Sequence, residues 1–417
     1  MYCLYYCLTL VLTPVMYLWA LIRLMKNKED PKRIKERFAQ IDFARPAGKL
    51  IWIHAASVGE TLAILSLVIK LAEDKELNIL LTTYTLSSSK IVAEKFPNNV
   101  IHQFLPYDSP CFARKLVKHW QPQLVIWTES DFWPNILTEI SRHSKLILLN
   151  ERMSDKSFER WKRFSGFARY ILGLFEVILP QSTVDYKKME YFGAKNLDYL
   201  GNLKYSLNTA NLNRELVGEV GQYLKMRTVI FIASTHPGEE LMILKGLKKI
   251  IDNQPQALIF LAPRHPVRTE EVKALLTELG FRFQQRTVTT KIEDGTQVYL
   301  IDTMGEMNNF YKLSHITIMG GSFVDIGGHN IIEPAKFENL IICGPYMSNF
   351  KQALDELISA KALIQVREAE ELGNILDKLL KNRDEIVGYA HNAHKLASSY
   401  DEILAKTVNF INDRLKS

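Results

Sequence analysis

Several signatures of common enzyme classes are missing from this chain of 417 residues. Its four cysteines, Cys3, Cys7, Cys111 and Cys343, show no CxxC spacing, so neither a zinc site nor a disulfide framework is predicted. We expect Cys111 and Cys343 to be buried thiols. Neither a P-loop nor a GxGxxG fingerprint occurs, which argues against a kinase and a dehydrogenase. No DxD sequence occurs either, so no metal clamp on a diphosphate is predicted, and we expect no metal and no cofactor.

The composition, with 47% hydrophobic and 24% charged residues, is typical of a globular protein. The chain is too long for one core, and two domains of about 150–200 residues are expected. The net charge of +6 suggests an acidic partner, without choosing among an anionic lipid, a nucleotide and a phosphate. Nucleic acid is not expected among the partners.

The segment Tyr2–Ile22 contains no charged residue. As one helix of about 21 residues it would be about 31 Å long, enough to cross a hydrocarbon layer about 30 Å thick. The basic residues between Arg23 and Arg37 would place the main body in the cytoplasm and could contact anionic headgroups. We therefore predict an uncleaved membrane anchor over residues 1–25 and a basic juxtamembrane segment over 26–48. A buried helix hairpin and a shallow monotopic insertion are the alternatives.

Apolar strand-like runs alternate with amphipathic helical runs twice along the chain, which is typical of βαβ units and parallel sheets. We predict a Rossmann-like domain over 49–207, a linker over 208–226, a second Rossmann-like domain over 227–390 and a C-terminal helix over 391–417. Strand ends of the two domains would face a cleft. The predicted strands are Leu50–His54, Asn78–Thr83, Val100–Leu105, Leu124–Trp127, Lys145–Asn150, Val177–Leu179, Asp198–Leu200, Thr228–Ala233, Ala257–Ala262, Gln297–Ile301, Ile316–Met319 and Leu340–Cys343.

The stretch Ile51–Lys70 contains the first candidate catalytic residue. Ser57 and Gly59 predict a turn from a buried strand into a helix, with Ser57 capping the free amides of its first turn. Glu60 would then lie at the carboxyl end of a strand, where open α/β sheets bind ligands. A surface glutamate that complements the helix dipole is the alternative interpretation.

Further candidates in the first half follow a later buried strand. Glu129 and Asp131 come directly after it, so we expect a pair of carboxylates at the cleft. Lys204 stands near the end of this half, in the segment GNLKY.

In the second half, polar clusters with glycine or proline follow successive strands. Arg264 could pair bidentately with a phosphate or carboxylate. A helix that starts near Asn330 would direct free amides toward an anion, and Glu333 could bind ribose hydroxyls. These clusters predict a nucleotide site, which together with the carboxylates of the first half suits group transfer from an activated donor. They contain Ser234, His236, Pro263, Arg264, Met304, Gly305, Glu306, Gly320, Gly321, Ser322, Asn330, Ile331, Ile332 and Glu333.

A set of motifs follows the N-terminal apolar segment in a fixed order: SVGET, an acidic W-P-N segment, GNLKY, STHPGEE, PRHP, MGE and GGHNIIEP. Over essentially the whole chain, this combination resembles the 3-deoxy-D-manno-octulosonic acid (Kdo) transferases of lipid A assembly, which have the GT-B fold. The resemblance implies transfer of Kdo from CMP-Kdo to a lipid A precursor, lipid IVA, at the cytoplasmic face of a bacterial inner membrane. It also implies that residues 49–207 bind the acceptor and residues 227–390 bind the CMP-sugar.

The resemblance assigns roles to individual residues as well. It implies that Glu60 is the catalytic base and that Glu129 and Lys204 support the transition state. The family has E-T-E before its L-W-P-N, whereas this chain has Asp131 in place of the second glutamate. The CMP-binding residues implied are Pro263, Arg264, Met304, Gly305, Glu306, Asn330, Ile331, Ile332 and Glu333.

Two other function classes are consistent with parts of the sequence. A nucleotide-sugar epimerase would share the two-domain architecture, but it would not need a membrane anchor with basic residues behind it. A non-catalytic, membrane-tethered nucleotide or lipid-binding protein would not need Glu60.

Overall fold

The computed structural model describes residues 1–129, 131–203, 212–224 and 227–416. The chain divides into two compact units. The first unit comprises Met1–Ser206 and Tyr400–Ser417, and the second unit comprises Leu207–Ser399.

The N-terminal apolar segment forms two helices, α1 (Tyr2–Val11) and α2 (Thr13–Met25), which are bent by 65° at the break between them. In the described part of the chain no single helix is long and apolar enough to cross a membrane, although this bent pair meets the criteria of length and composition together. The single helix predicted over Tyr2–Ile22 is therefore wrong. Pro14 lies in the first turn of α2 and has no N–H, so it cannot continue the hydrogen bonding of α1.

The arginines at the end of α2 and in the basic segment after it are paired inside the first unit. Arg37 is fully buried and donates hydrogen bonds to Glu29 and to two backbone carbonyls. Arg23 pairs with Glu29 at 2.6 Å, and Arg33 pairs with Glu36 at 2.7 Å. The charges of these three arginines are thus balanced by carboxylates within the unit, and contact of the basic segment with lipid headgroups stays a prediction. The exposed lysines of this segment are Lys26, Lys28 and Lys32.

The described part of the first unit contains a parallel sheet of six strands in the order β3-β2-β1-β4-β5-β6. The order reverses between β1 and β4, and the carboxyl ends of strands at such a reversal form a ligand crevice. Leu50 and Trp52 enter one apolar cluster while Ile51 and Ile53 enter another, so β1 is buried on both faces. The strands are β1 (Lys49–His54), β2 (Leu77–Thr83), β3 (Val100–Phe104), β4 (Leu124–Thr128), β5 (Lys145–Glu151) and β6 (Val177–Pro180).

The strand predicted over Asp198–Leu200 does not form. A single bridge joins Leu197 to Ile178 beside the edge strand β6, and the backbone then turns away toward Gly201, whose φ is +105°. The helices of this part are α3 (Val58–Ala63), α4 (Leu65–Leu71), α5 (Leu86–Lys95), α6 (Pro110–Trp120), α7 (Pro134–Ser141), α8 (Asp155–Lys162), α9 (Ser165–Leu172) and α10 (Thr183–Tyr191).

The described part of the second unit contains a parallel sheet of seven strands in the order β13-β12-β11-β7-β8-β10-β9. Because β7 lies between β11 and β8, the loops that follow these three strands meet at one edge of the sheet. The edge strands β9 and β13 were not predicted, since three residues each are too few for a recognisable pattern. The strands are β7 (Thr228–Thr235), β8 (Ala257–Pro263), β9 (Phe283–Gln285), β10 (Val298–Leu300), β11 (Ile316–Met319), β12 (Leu340–Cys343) and β13 (Leu363–Gln365).

The helices of the second unit include α11, which lies inside the range predicted as a linker, and a long final helix, α18. The first part of α18 belongs to the second unit, and its residues from Tyr400 onward belong to the first. The helices are α11 (Arg214–Gly221), α12 (Glu239–Asn253), α13 (Thr269–Glu278), α14 (Met307–Lys312), α15 (Ile332–Lys336), α16 (Lys351–Ser359), α17 (Glu371–Lys381) and α18 (Arg383–Lys416).

The two cysteines predicted to be buried differ in the structure. Cys343 is buried in β12, as expected. Cys111 is exposed, because α6 packs on the sheet through Phe112, Ala113 and Leu116 and leaves Cys111 on its outer face.

Candidate active site

The turn from β1 into α3 holds Glu60 in a buried position. The Ser57 hydroxyl caps the helix by accepting from the Glu60 N–H at 3.3 Å, as predicted, and it donates to Glu60 Oε1 at 2.8 Å. Glu60 Oε2 accepts from the Ala56 N–H at 2.7 Å. Burial raises the pKa of the Glu60 carboxyl in spite of these hydrogen bonds, and the nearby Asp131 raises it further. Glu60 is therefore both a helix-capping residue and a carboxylate with increased basicity.

The segment after β4 carries the other two predicted carboxylates. Glu129 has a φ of +54°, an uncommon value for a residue with a side chain, and such strain is often found at functional sites. The indole of Trp127 donates to the Asp131 carbonyl at 2.7 Å, and the indole of Trp133 donates to Asp131 Oδ2 at 3.0 Å. Burial raises the pKa of Asp131 as well. The structure thus brings Asp131 close to Glu60, while Lys204 lies outside the described residues.

In the second unit, two glycines after β11 allow close packing, Gly320 against the end of β7 and Gly321 against a histidine of its own loop. A Cβ on Gly320 would lie 2.4 Å from the carbonyl oxygen of Ser234, and a Cβ on Gly321 would lie 3.0 Å from the ring of His329. Ser234 itself has a φ of +59°. Ser322 is buried and donates to the Met319 carbonyl, so it supports the loop from inside.

Two buried glutamates that sequence reasoning left without a role hold this edge together. Glu239 accepts from the backbone N–H groups of His236, Gly321 and Phe323 at 2.7–2.9 Å. Glu240 accepts a bidentate pair of hydrogen bonds from Arg268, at 2.6 and 3.1 Å. The two adjacent glutamates at the end of STHPGEE are visible in the sequence. Their structural role is not, because most of the groups that they bind lie in other loops.

Two histidines from neighbouring loops are hydrogen bonded to each other. His236, just after β7, and His329, in the glycine loop after β11, have their Nε2 atoms 2.8 Å apart. Their rings are almost parallel, at 14°, with centroids 5.0 Å apart. Burial is the main cause that lowers the pKa of both histidines, and Arg264 and His265 lower it further. The pKa of His329 is lowered to about 4.

The arginine predicted to bind phosphate follows β8. Pro263 ends that strand, and the Arg264 backbone N–H donates to the Thr235 carbonyl at 2.9 Å, which ties this loop to the end of β7. Arg264 is exposed, and within the described residues its guanidinium has no hydrogen bond or ion pair. A cation in this state is available to an anionic ligand.

The remaining predicted donor residues lie in two further loops of the second unit. Glu306 is the N-cap of α14, and it accepts from Arg286 at 3.0 Å and from the Thr303 hydroxyl. Met304 and Gly305 are exposed beside it.

The helix predicted near Asn330 begins two residues later, as α15. The Asn330 side chain accepts from the Ile332 N–H at 3.0 Å, and its amide contacts Glu333 at 3.4 Å. Ile331 and Ile332 are buried, so their side chains anchor the turn in the core. Both Glu333 and Arg264 act on the buried Tyr311: burial raises the pKa of Tyr311, Glu333 raises it further and Arg264 lowers it.

Comparison with known proteins identifies relatives over most of the chain. A family model described as 3-deoxy-D-manno-octulosonic-acid transferase (kdotransferase) matches residues 32–207. The 3-deoxy-D-manno-octulosonic acid transferase of Rickettsia bellii (strain RML369-C) is 38% identical over 416 residues, which cover 98% of each chain. That of Haemophilus influenzae (strain ATCC 51907 / DSM 11121 / KW20 / Rd) is 32% identical over 390 residues, which cover 91% of each chain.

The fold also has a counterpart among solved structures. A glycosyltransferase from Rickettsia africae ESF-5 superimposes with a TM-score of 0.54 at 14% identity, and the match covers 89% of this chain and 100% of that one. This likeness concerns the fold alone, and it confirms the predicted α/β architecture of GT-B type. Because its full-length relatives are enzymes that transfer Kdo, the chain belongs to the 3-deoxy-D-manno-octulosonic acid transferase family of glycosyltransferases.

Proposed function

We propose that this protein transfers Kdo from CMP-Kdo to a lipid A precursor, lipid IVA, by a single inverting displacement with Glu60 as the general base. The observation that carries the proposal is the position of Glu60, a buried carboxylate with a raised pKa at the strand-order reversal of the first sheet. A base is more effective when its pKa lies closer to the working pH, so this environment suits proton abstraction.

The reaction balances with the groups available. Glu60 takes the proton of the acceptor hydroxyl, and the hydroxyl oxygen forms a bond to the anomeric carbon of Kdo. The bond from that carbon to the phosphate oxygen breaks, and CMP leaves with the electron pair. In this scheme Glu129 and Lys204 stabilise the charge that develops in the transition state.

Support for the donor site comes from the loop edge of the second unit. Arg264 is unpaired within the described residues, and the glycines after β11 let that loop pack closely against the end of β7, the strand beside β8. An arginine pairs well with phosphate oxygens, so it would stabilise CMP as the leaving group. We propose that Pro263, Arg264, Met304 to Glu306 and Asn330 to Glu333 contact CMP and that catalysis requires no metal.

We also propose that α1 and α2 lie against the cytoplasmic face of a bacterial inner membrane. The side of these helices that faces the first unit is held by polar contacts, from Tyr5 to Asp108 at 2.8 Å and from Asn135 to Thr9 at 2.8 Å. The opposite side is apolar and exposed, a pattern typical of helices that insert shallowly into a bilayer. Its residues include Leu4, Leu8, Val11, Val15, Leu18, Trp19, Leu21 and Met25.

The test is a transfer assay with the full chain in lipid nanodiscs, radiolabelled CMP-Kdo and lipid IVA. We expect label in the lipid product, with a mass increase of one or more Kdo units. Release of CMP without labelled lipid would show that lipid IVA is not the acceptor. Absence of both CMP release and transfer would contradict the proposed donor.

A further inference from the structure

The hydrogen-bonded histidine pair of the second unit is explained neither by the fold nor by the binding of a nucleotide. Since an N–N distance of 2.8 Å is a hydrogen bond, one proton lies between His236 and His329, and one of the two Nε2 atoms must act as an acceptor. The histidine that accepts is neutral, so the pair carries at most one positive charge.

The surrounding residues position both rings. Glu239, which is fully buried, accepts from the backbone N–H of His236 and from that of Gly321. The His329 ring lies against Gly321, where a Cβ would come within 3.0 Å of it. One buried carboxylate and one residue without a side chain therefore fix the pair, and neither histidine is completely buried.

The charges around the pair favour an anion. Arg264 follows β8, the strand beside β7, and within the described part of the chain it has no ion-pair partner. Glu239 is committed to three backbone N–H groups, and Arg268 is committed to Glu240 and Glu271. Burial and the nearby Arg264 and His265 lower the pKa of both histidines, whereas Glu239 raises the pKa of His236. A bound anion would act in the same direction as Glu239 and help the pair to hold its proton.

The donor that we propose carries two anionic groups next to each other. In CMP-Kdo the carboxylate is attached to the same carbon that bears the phosphoester oxygen, so two neighbouring anion sites are required. Arg264 supplies one of them for the phosphate. We infer that His236 and His329 form the second, a subsite for the carboxylate of the transferred sugar acid; this rests on the proposed function.

The test compares two ligands that differ in the sugar acid. Affinities for CMP and for CMP-Kdo are measured by calorimetric titration without acceptor, for wild type, His236→Ala and His329→Ala. Loss of a charge-assisted hydrogen bond is expected to weaken CMP-Kdo binding by about 10- to 100-fold, while CMP binding changes by less than about twofold. His391→Ala on the exposed side of α18 is the matched control and is expected to bind both ligands like wild type.

The variants His236→Gln and His329→Gln control for misfolding of the alanine variants, because the glutamine amide retains a hydrogen-bond donor. We expect them to lose less affinity for CMP-Kdo than the alanine variants do. The inference is overturned if CMP and CMP-Kdo affinities fall together, if neither falls, or if wild type does not bind CMP-Kdo. A wrong acceptor can be told apart from a wrong carboxylate subsite. If lipid IVA is not the acceptor, transfer to it is absent, but the histidine variants still weaken binding of CMP-Kdo more than binding of CMP.

Discussion

Replacement of Glu60 by glutamine separates its catalytic role from its structural one. Both carboxylate oxygens accept hydrogen bonds, from the Ala56 N–H at 2.7 Å and from the Ser57 hydroxyl at 2.8 Å. A glutamine offers one oxygen to Ala56, and the Ser57 hydroxyl can rotate to accept from the new amide. We therefore expect a cost of about 0.5–1.5 kcal/mol. For a unit of about 200 residues, this corresponds to a fall in Tm of about 1–6 °C.

The effect on turnover should be much larger. Glutamine cannot accept the proton of the acceptor hydroxyl, and loss of a general base typically lowers kcat by about 10²–10⁴-fold. CMP affinity should barely change. The assay measures kcat at saturating donor and acceptor, the Kd for CMP and the Tm, with Glu94→Gln on the exposed side of α5 as the control. A nearly normal kcat in Glu60→Gln would refute the role of Glu60 as base and direct attention to Glu129 and Asp131.

The raised pKa of Glu60 gives the same experiment a dependence on pH. Between the ordinary pKa of a glutamate and the raised value, the folded protein holds a proton that the unfolded chain has lost. The contribution of Glu60 to stability therefore falls as pH rises through this interval, and Glu60→Gln should remove that slope. Turnover needs the ionised form, so kcat should decline on the acid side at a higher pH than an ordinary glutamate would set. A pH profile of kcat checks this expectation.

Three further predictions concern the donor site, the membrane face and the docking of α1. Arg264→Ala should weaken CMP binding by about 1.5–3 kcal/mol in calorimetric titration, because a charge-assisted contact to phosphate is lost. Leu4→Gln with Val11→Gln should lower vesicle affinity by about tenfold or more in cosedimentation, since complete burial of such a side chain contributes about 1.5–3 kcal/mol. Asn135→Ala should destabilise the first unit by about 1–3 kcal/mol in denaturant unfolding, because its buried amide donates to Thr9 and to the Asp108 carbonyl.

Matched substitutions elsewhere serve as controls for these three. They are Arg367→Ala for the guanidinium, Val267→Gln for an exposed apolar residue of the second unit and Asn98→Ala for an exposed amide in the turn before β3. Unchanged CMP affinity in Arg264→Ala would contradict the placement of the phosphate. Vesicle binding that survives the double substitution would contradict the membrane role of the α1 face. An equal loss of stability in Asn135→Ala and its control would show that the amide does not dock α1.

The parts of the site predicted from sequence depend on local physics. Ser57 and Glu60 are three residues apart, so the cap between them was readable from the sequence, and so was the position of Arg264 directly after a strand. The pairing of His236 with His329 was not, because it requires β7 and β11 to be neighbours in the sheet. A linear pattern shows which residues end a strand but not which strand lies beside it.

Charge patterns were less informative than apolar ones. The basic residues after α2 were interpreted as a group, yet Arg37 is buried against Glu29 while Lys28 is exposed. Sequence gives the sign of each charge, whereas its partner is set by the tertiary packing of the first unit. Likewise, the apolar run at the N-terminus predicted helix correctly but not the bend at Leu12, just ahead of Pro14, since proline is also tolerated within membrane helices.

The last turns of α18 affect the order in which the protein can fold during synthesis. Ile411 is buried in a cluster with Ile51 and Ile53 of β1, and Ile403 fills the space beside Gly201. These residues follow the whole second unit in the chain. At about 5–20 residues per second, roughly 190 residues must be synthesised over about 10–40 s before α18 reaches this surface. A ribosome-bound chain thus displays an uncovered apolar patch on its first unit for that period, a ready binding site for a chaperone.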